Sequence, residues 1–161
     1  MMVITPGRQN RTYRKTLLSD LLPEAFGPLD LGNRSGLMLP AAQDRKLQLN
    51  AAAKDRTIAE ALSAAEKSYA PYTQNVAGCA LETQNGEIYS GRYVESAAYN
   101  PSLPPLQSAI ICVNLATFEE KPPIQRVVLV EKPTAVRQRK VVELLLESWA
   151  PEIKLEYYEI K

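Results

Sequence analysis

The sequence predicts an α/β protein, a mixed sheet with helices on its faces, and three stretches carry that reading. "DRTIAEALSAAEKSYAPY" brings Ile58, Ala61, Leu62, Ala65 and Tyr69 around at the spacing of one helix face. "VAGCALET" and "EIYSGRYVE" flank Asn85-Gly86, a strong short-range signal for a β-hairpin. "IQRVVLVE" is a continuous apolar run of strand length, as expected of a strand covered on both faces. A hairpin followed by β-α-β crossovers is the order that puts helices on the two faces of a mixed sheet.

The elements follow in chain order. Residues 1–49 read as an arm. "MVIT" is a short β-like run closed by Pro6-Gly7, and Arg8 to Lys15 is polar and basic. "LLSDLLPEAFGPLDLGNRSGLMLP" then mixes apolar runs with Pro23, Gly27, Pro28, Gly32, Gly36 and Pro40, a density of breakers that permits only short helical turns. Its leucines and Phe26 need burial, so the arm is expected to pack on a surface. Regular structure begins at about residue 50, where Asp55 is placed to cap the first helix and Pro71 to end it. After the hairpin, "PPLQSAIICVNLATF" reads as a helix whose prolines sit where a missing N–H costs little, with Leu106, Ala109, Ile110 and Val113 as its apolar stripe. "AVRQRKVVELLLESW" is the third helix, with Val142, Leu145, Leu146 and Trp149 inward and Pro151 as its stop. "IKLEYYEI" alternates as the last strand. Cys79 on a central strand and Cys112 on the buried side of its helix read as small core residues. Arg137, Arg139 and Lys140 read as a solvated helix face, with phosphate binding as the weaker second reading.

Composition narrows the chemistry. In 161 residues, 45% are hydrophobic and 23% charged, ordinary for a globular domain. The net charge of +1 gives no electrostatic case for a nucleic-acid or membrane partner. No window approaches the ~18 uninterrupted apolar residues of a membrane span. The chain has no histidine, so it cannot build a Ser-His or Cys-His nucleophile pair and lacks the commonest metal ligand. Its two cysteines form no C-x-x-C pair and no disulfide framework, which fits a reducing cytoplasm.

From Ser68 to Ile110 the sequence "SYAPYTQNVAGCALETQNGEIYSGRYVESAAYNPSLPPLQSAI" resembles the cytidine deaminase family. Ser68, Pro71, Tyr72, Val76, Gly78, Ala80, Leu81, Gly86, Gly91, Val94, Glu95, Ala97 and Tyr99 match its pattern in one register. The resemblance implies a three-layer α/β/α domain over 50–161, with a mixed sheet of about five strands, preceded by an irregular arm. Zinc deaminases hold the metal with a His or Cys and two further Cys, and a Glu near the first ligand moves protons for the attacking water. Carried over, the first ligand falls on Pro104 and the Glu on Leu106. Of the later P-C-x-x-C, Pro133 is kept while Thr134 and Arg137 replace the cysteines. Proline offers no donor atom to a metal, leucine cannot move a proton, and the Arg137 cation repels Zn²⁺. The expectation is therefore no catalytic residue, no metal ligand and no cofactor in this chain.

The stretch "NPSLPPLQ" and the arm's "LLPEAFGPLDL" resemble the zinc-less second domain and the interdomain linker of long-chain, homodimeric members. On that resemblance, 1–49 is the end of a preceding domain's last strand plus a linker. The full enzyme would hydrolyse cytidine and deoxycytidine, with zinc held by its catalytic domain. The partners implied are that catalytic domain, a second copy of this chain, or both. Sites in such assemblies lie at subunit interfaces, so Ala98, Tyr99 and Glu95 are candidates for lining a neighbour's pocket, with interdomain packing as the other reading of Tyr99. Glu95 matches the family's ribose-binding Glu, but Tyr93 replaces its Asn partner, and a carboxylate capping a turn is the competing reading. Two alternatives stay open: a free-standing pseudo-deaminase that binds a nucleoside or a protein partner, and an active deaminase with unfamiliar ligands.

Overall fold

The computed structural model describes residues 1–7, 12–34, 36–37, 45–50, 55–98, 100–117 and 123–161. It divides into two units, Met1–Arg34 and Ser35–Lys161. In the first, β1 (Met2–Pro6) pairs antiparallel with β2 (Tyr13–Leu17), Met2 opposite Leu17 and Pro6 opposite Tyr13. β2 carries no strand signal in the sequence. Its residues are mostly exposed, so backbone pairing and not an apolar face makes it a strand. Two helical turns follow, α1 (Leu18–Leu21) and a 3₁₀ turn at Pro28–Leu31, both as short as the prolines and glycines require. The Gly27 amide donates to Asp30 Oδ2 at 2.7 Å, closing the entry to the second turn.

The second unit contains strands β3 (Ala77–Thr83), β4 (Ile88–Arg92), β5 (Ile124–Glu131) and β6 (Leu155–Glu159) and helices α2 (Arg56–Glu66), α3 (Pro105–Thr117) and α4 (Arg139–Trp149). The sheet order is β4-β3-β5-β6, with β3 antiparallel to both neighbours and β5 parallel to β6. This is the expected mixed sheet, with four strands among the described residues where about five were anticipated. Beyond β4 the described residues make isolated bridges, Tyr69 to Val94 and Val94 to Leu103, which anchor a loop.

Period-two alternation sorts the strand side chains between two cores. Cys79, Leu81, Val127 and Leu129 pack with Leu106, Ala109 and Val113 of α3 and Val142 and Leu146 of α4. Ala80, Val128 and Val130 pack with Ile58, Ala61 and Ala65 of α2. The result is three layers, α2 on one face and α3 with α4 on the other. Each fully buried Val or Leu contributes on the order of 1.5–3 kcal/mol. Gly78 and Gly91 let the helices approach: a Cβ on Gly78 would collide with Ala61 O and Ala65 N of α2, and one on Gly91 with Pro105 O and Ala109 N of α3.

Several expectations shift in detail. Asp55 caps α2, accepting from Ile58 N at 2.9 Å, but the helix ends at Glu66, well before Pro71. Ser68 closes it, both its amide and its Oγ donating to Ala65 O, and Tyr69 is then drawn into pairing with Tyr93 and Glu95. The hairpin loop spans Gln84, Asn85 and Gly86, and only Gly86 is left-handed, at φ +81°. Thr83 N donates to Glu87 O at 2.9 Å across its base. Cys79 is buried as expected, but Cys112 is exposed, at the edge of the face that α3 buries through positions 105, 106, 109 and 113.

Candidate functional site

The start of α3 is built by its loop. Val94 and Leu103 exchange both backbone hydrogen bonds, at 3.0 and 2.8 Å, fixing the chain just before the helix. Pro104 O then accepts from Ser108 N at 3.1 Å, the first helical bond, with Pro105 at the first helical position. Pro104 is half-buried, and the Leu106 side chain has 0% exposure in the core beneath the helix. No group at either position can hold a metal or transfer a proton.

The other two positions are equally committed. Thr134 Oγ1 donates to Val136 O at 2.7 Å and accepts from Val136 N at 3.2 Å, so it forms a local turn. Arg137 is exposed and pairs with Glu159 at 3.5 Å. The rest of the predicted basic face is also engaged in part: Arg139 pairs with Glu143 at 2.8 Å and lies over the Tyr157 ring at 4.7 Å. Proline, leucine, a turn-forming threonine and a paired arginine do not fit a zinc ion. Among the described residues no group of three His, Cys, Asp or Glu side chains lies together as a metal site would require.

What organises the start of α4 was not read from the sequence. Glu131, fully buried at the end of β5, accepts from Gln138 N at 3.1 Å and Arg139 N at 3.0 Å through Oε2. Its Oε1 accepts from Asn75 Nδ2 at 3.3 Å, which also donates to Lys132 O at 2.9 Å, while Asn75 Oδ1 accepts from Gln138 Nε2 at 3.1 Å. A carboxylate thus sits at the positive end of the α4 dipole and ties it to β5 and the loop before β3. Burial pushes the Glu131 carboxyl up from its usual value, and the hydrogen bonds from Asn75, Arg139 and Gln138 only partly offset this. A Glu ending an apolar strand shortly before a helix was the available signal. Its partner Asn75 lies too far away in sequence to form a local pattern.

The loop residues divide. Glu95 is buried and turned into its own chain, where Oε2 accepts from Tyr72 N at 2.8 Å and Thr73 N at 3.2 Å, a turn-capping arrangement. Tyr93 lies in the core. Ala98 is exposed, its amide donating to Ser96 Oγ at 3.3 Å. Tyr99 lies outside the described residues.

Residues 18–143 match the family described as the cytidine and deoxycytidylate deaminase zinc-binding region. The chain is 38% identical over 158 residues to a cytidine deaminase of Aliivibrio fischeri, covering 98% of this chain and 50% of that one. It is 48% identical over 131 residues to a cytidine deaminase of Yersinia pestis, covering 81% of this chain and 41% of that one. The chain thus spans half or less of the length of these relatives. Among solved structures, it is similar to cytidine deaminase from Burkholderia pseudomallei, with TM-score 0.52, 23% identity and coverage of 65% of this chain and 88% of that one. It is also similar to cytidine deaminase from Mycobacterium tuberculosis, with TM-score 0.50, 19% identity and coverage of 61% and 79%. These two likenesses concern the fold.

Proposed function

The chain belongs to the cytidine and deoxycytidylate deaminase family, and from that premise we propose that it is a non-catalytic, assembly-forming domain of a longer cytidine deaminase. The single observation that carries this reading is Leu106, a fully buried hydrocarbon where the resemblance puts the proton-moving Glu. Pro104, Thr134 and Arg137 support it from the ligand positions. So does the length of the relatives, which leaves room for a second domain of similar size. In this reading zinc and catalysis reside in that other domain, where water attacks the pyrimidine carbon bearing the amine and ammonia leaves. This domain contributes packing surface, and the exposed Ala98 marks the part offered to a neighbour's site.

The nucleoside-binding alternative is weakened because Glu95, which would hold a ribose, is buried and its Oε2 accepts from the Tyr72 and Thr73 amides, although its Oε1 has no hydrogen-bond partner among the described residues. A uridine-release assay on the purified chain, with and without added zinc, tests the proposal. No turnover of cytidine or deoxycytidine is expected in either condition. Turnover that rises with zinc and survives repurification refutes it.

A further inference from the structure

Strand β4 is the outer strand of the described sheet, and its ladder to β3 fixes which backbone groups it turns outward. Thr83 N donates to Glu87 O and Tyr93 N to Ala77 O, both at 2.9 Å. Antiparallel pairs alternate between bonded and non-bonded, so Tyr89 and Gly91 also bond to β3, while Ile88, Ser90 and Arg92 turn their N–H and C=O to the outer edge. Val94 continues the same parity, and its edge is already taken: Leu103 exchanges both backbone hydrogen bonds with it in the antiparallel sense. The chain then leaves this line for α3, and no described residue pairs with the backbone of Ile88 or Ser90 on that edge. Sheet edges are commonly guarded against strand addition by a lysine, a proline or a bulge. The centre of this one, Tyr89-Ser90-Gly91, carries neither lysine nor proline.

The edge lies in a groove of about 250 Å³ walled by both helical layers. Ser63 and Ala64 of α2 stand on one side and Ser108 and Cys112 of α3 on the other, all of them small. Ser90 lies opposite Ala80, which packs against α2, so Ser90 and Arg92 face α2 as well. Charge is laid out along that wall. Arg92 Nη1 donates to Lys67 O at 3.0 Å, which sets two cations together at one end of the groove. Glu60 stands two turns earlier, about 10 Å back along α2. A second copy of this chain does not fit, because two recessed edges are held apart by the helices that wall them. We propose that this groove takes an extended peptide from another protein, added to β4 as an antiparallel strand on the line that Leu103 begins. Residues opposite one another share a face, so three alternate peptide residues face α2. An acidic one lies opposite Arg92, a small one opposite Ser90, and a basic one opposite Ile88, towards Glu60. The residues between them are small or β-branched and face Ser108 and Cys112.

The test titrates the full chain with the peptide acetyl-Asp-Val-Ser-Val-Lys-amide, which meets these conditions, and follows the amides by NMR. Saturable shifts are expected below about 1 mM. The Ser90 amide, without a partner in the free chain, should exchange at least about tenfold more slowly at saturation. N-methylation of the peptide's serine, whose N–H points at Ser90, should weaken binding at least about tenfold, while N-methylation of either valine, whose N–H points away, should leave it unchanged. Ser90→Pro removes the outward N–H at an edge position where proline is tolerated, so it should keep the circular dichroism and weaken binding by about as much. Lys67→Glu should weaken it by about three- to tenfold. No saturable binding below about 1 mM overturns the proposal, as does equal loss from methylating the serine and the valines. Protection of the Ser90 amide that rises with chain concentration in the absence of peptide assigns the edge to a second copy and also overturns it.

Discussion

Replacing Glu131 by alanine removes the group that holds the start of α4. Three hydrogen bonds end on this carboxylate: from Gln138 N, from Arg139 N and, at a longer 3.3 Å, from Asn75 Nδ2. Bonds to a charged acceptor contribute roughly 1.5–3 kcal/mol each, and the buried carboxylate's desolvation offsets part of the sum, so Glu131→Ala is expected to cost about 2–4 kcal/mol. That corresponds to a fall in Tm of roughly 5–15 °C for a domain of this size. Glu131→Gln keeps one oxygen for the two amides but sets an NH₂ against Asn75 Nδ2, and should cost only about 1 kcal/mol. The chain's single tryptophan, Trp149, lies on α4 and packs against the core, so its fluorescence during urea unfolding reads the affected element directly. The pH dependence has a definite sign. The folded-state carboxyl is raised above 4.5, so the protonated form favours the fold. This stability is full below 4.5 and is lost as pH rises through the raised value, a slope that Glu131→Gln should remove. A Glu131→Ala variant within about 0.5 kcal/mol of the parent, or a Gln variant as damaged as Ala, would refute the reasoning.

Arg126 links three elements, pairing with Asp55 at 2.8 Å and with Glu156 at 2.5 Å, and it holds both carboxyls below their usual values through its hydrogen bonds. Their stabilisation is present above the ordinary 3.8 and 4.5 and is lost as pH falls through the lowered values. Both acids are well exposed, so Arg126→Met should cost only about 1 kcal/mol at neutral pH and flatten the acid limb of a urea-midpoint profile. An unchanged acid limb would contradict this. Gln74 is the one non-glycine residue with positive φ among those described, at +57°, and it is exposed, so Gln74→Gly should stabilise by about 0.5 kcal/mol in urea titration. Leu106→Glu restores the family's acid in a dry core. It should cost about 3–5 kcal/mol in the same titration and release no uridine. A stable variant that deaminates cytidine would show that the α3 start keeps more of a site than its side chains indicate.

The parts of the fold that repeat on a short period were legible. The strands "VAGCALET" and "IQRVVLVE" were set by apolar runs and the end of β3 by Asn85-Gly86, and Leu106, Ala109 and Val113 were placed by helical spacing. Features made by partners distant in sequence were not. β2 exists because β1 lies beside it. Ser68 ends α2 early because Tyr69 has Tyr93 and Glu95 to pair with. Cys112 fell on the wrong side because an apolar residue on an all-round apolar helix carries no phase information. The site was legible as a set of losses, since Pro104, Leu106, Thr134 and Arg137 are single letters in a register. The Asn75–Glu131–Gln138 network that holds the same region is assembled across the sheet and had no local signature.

The central claim concerns chemistry the chain lacks, so its most direct test is metal content. Elemental analysis of the purified full chain, expressed with zinc available and desalted without chelator, should find far less than one zinc per chain. One tightly held zinc per chain, retained through gel filtration, would contradict the account.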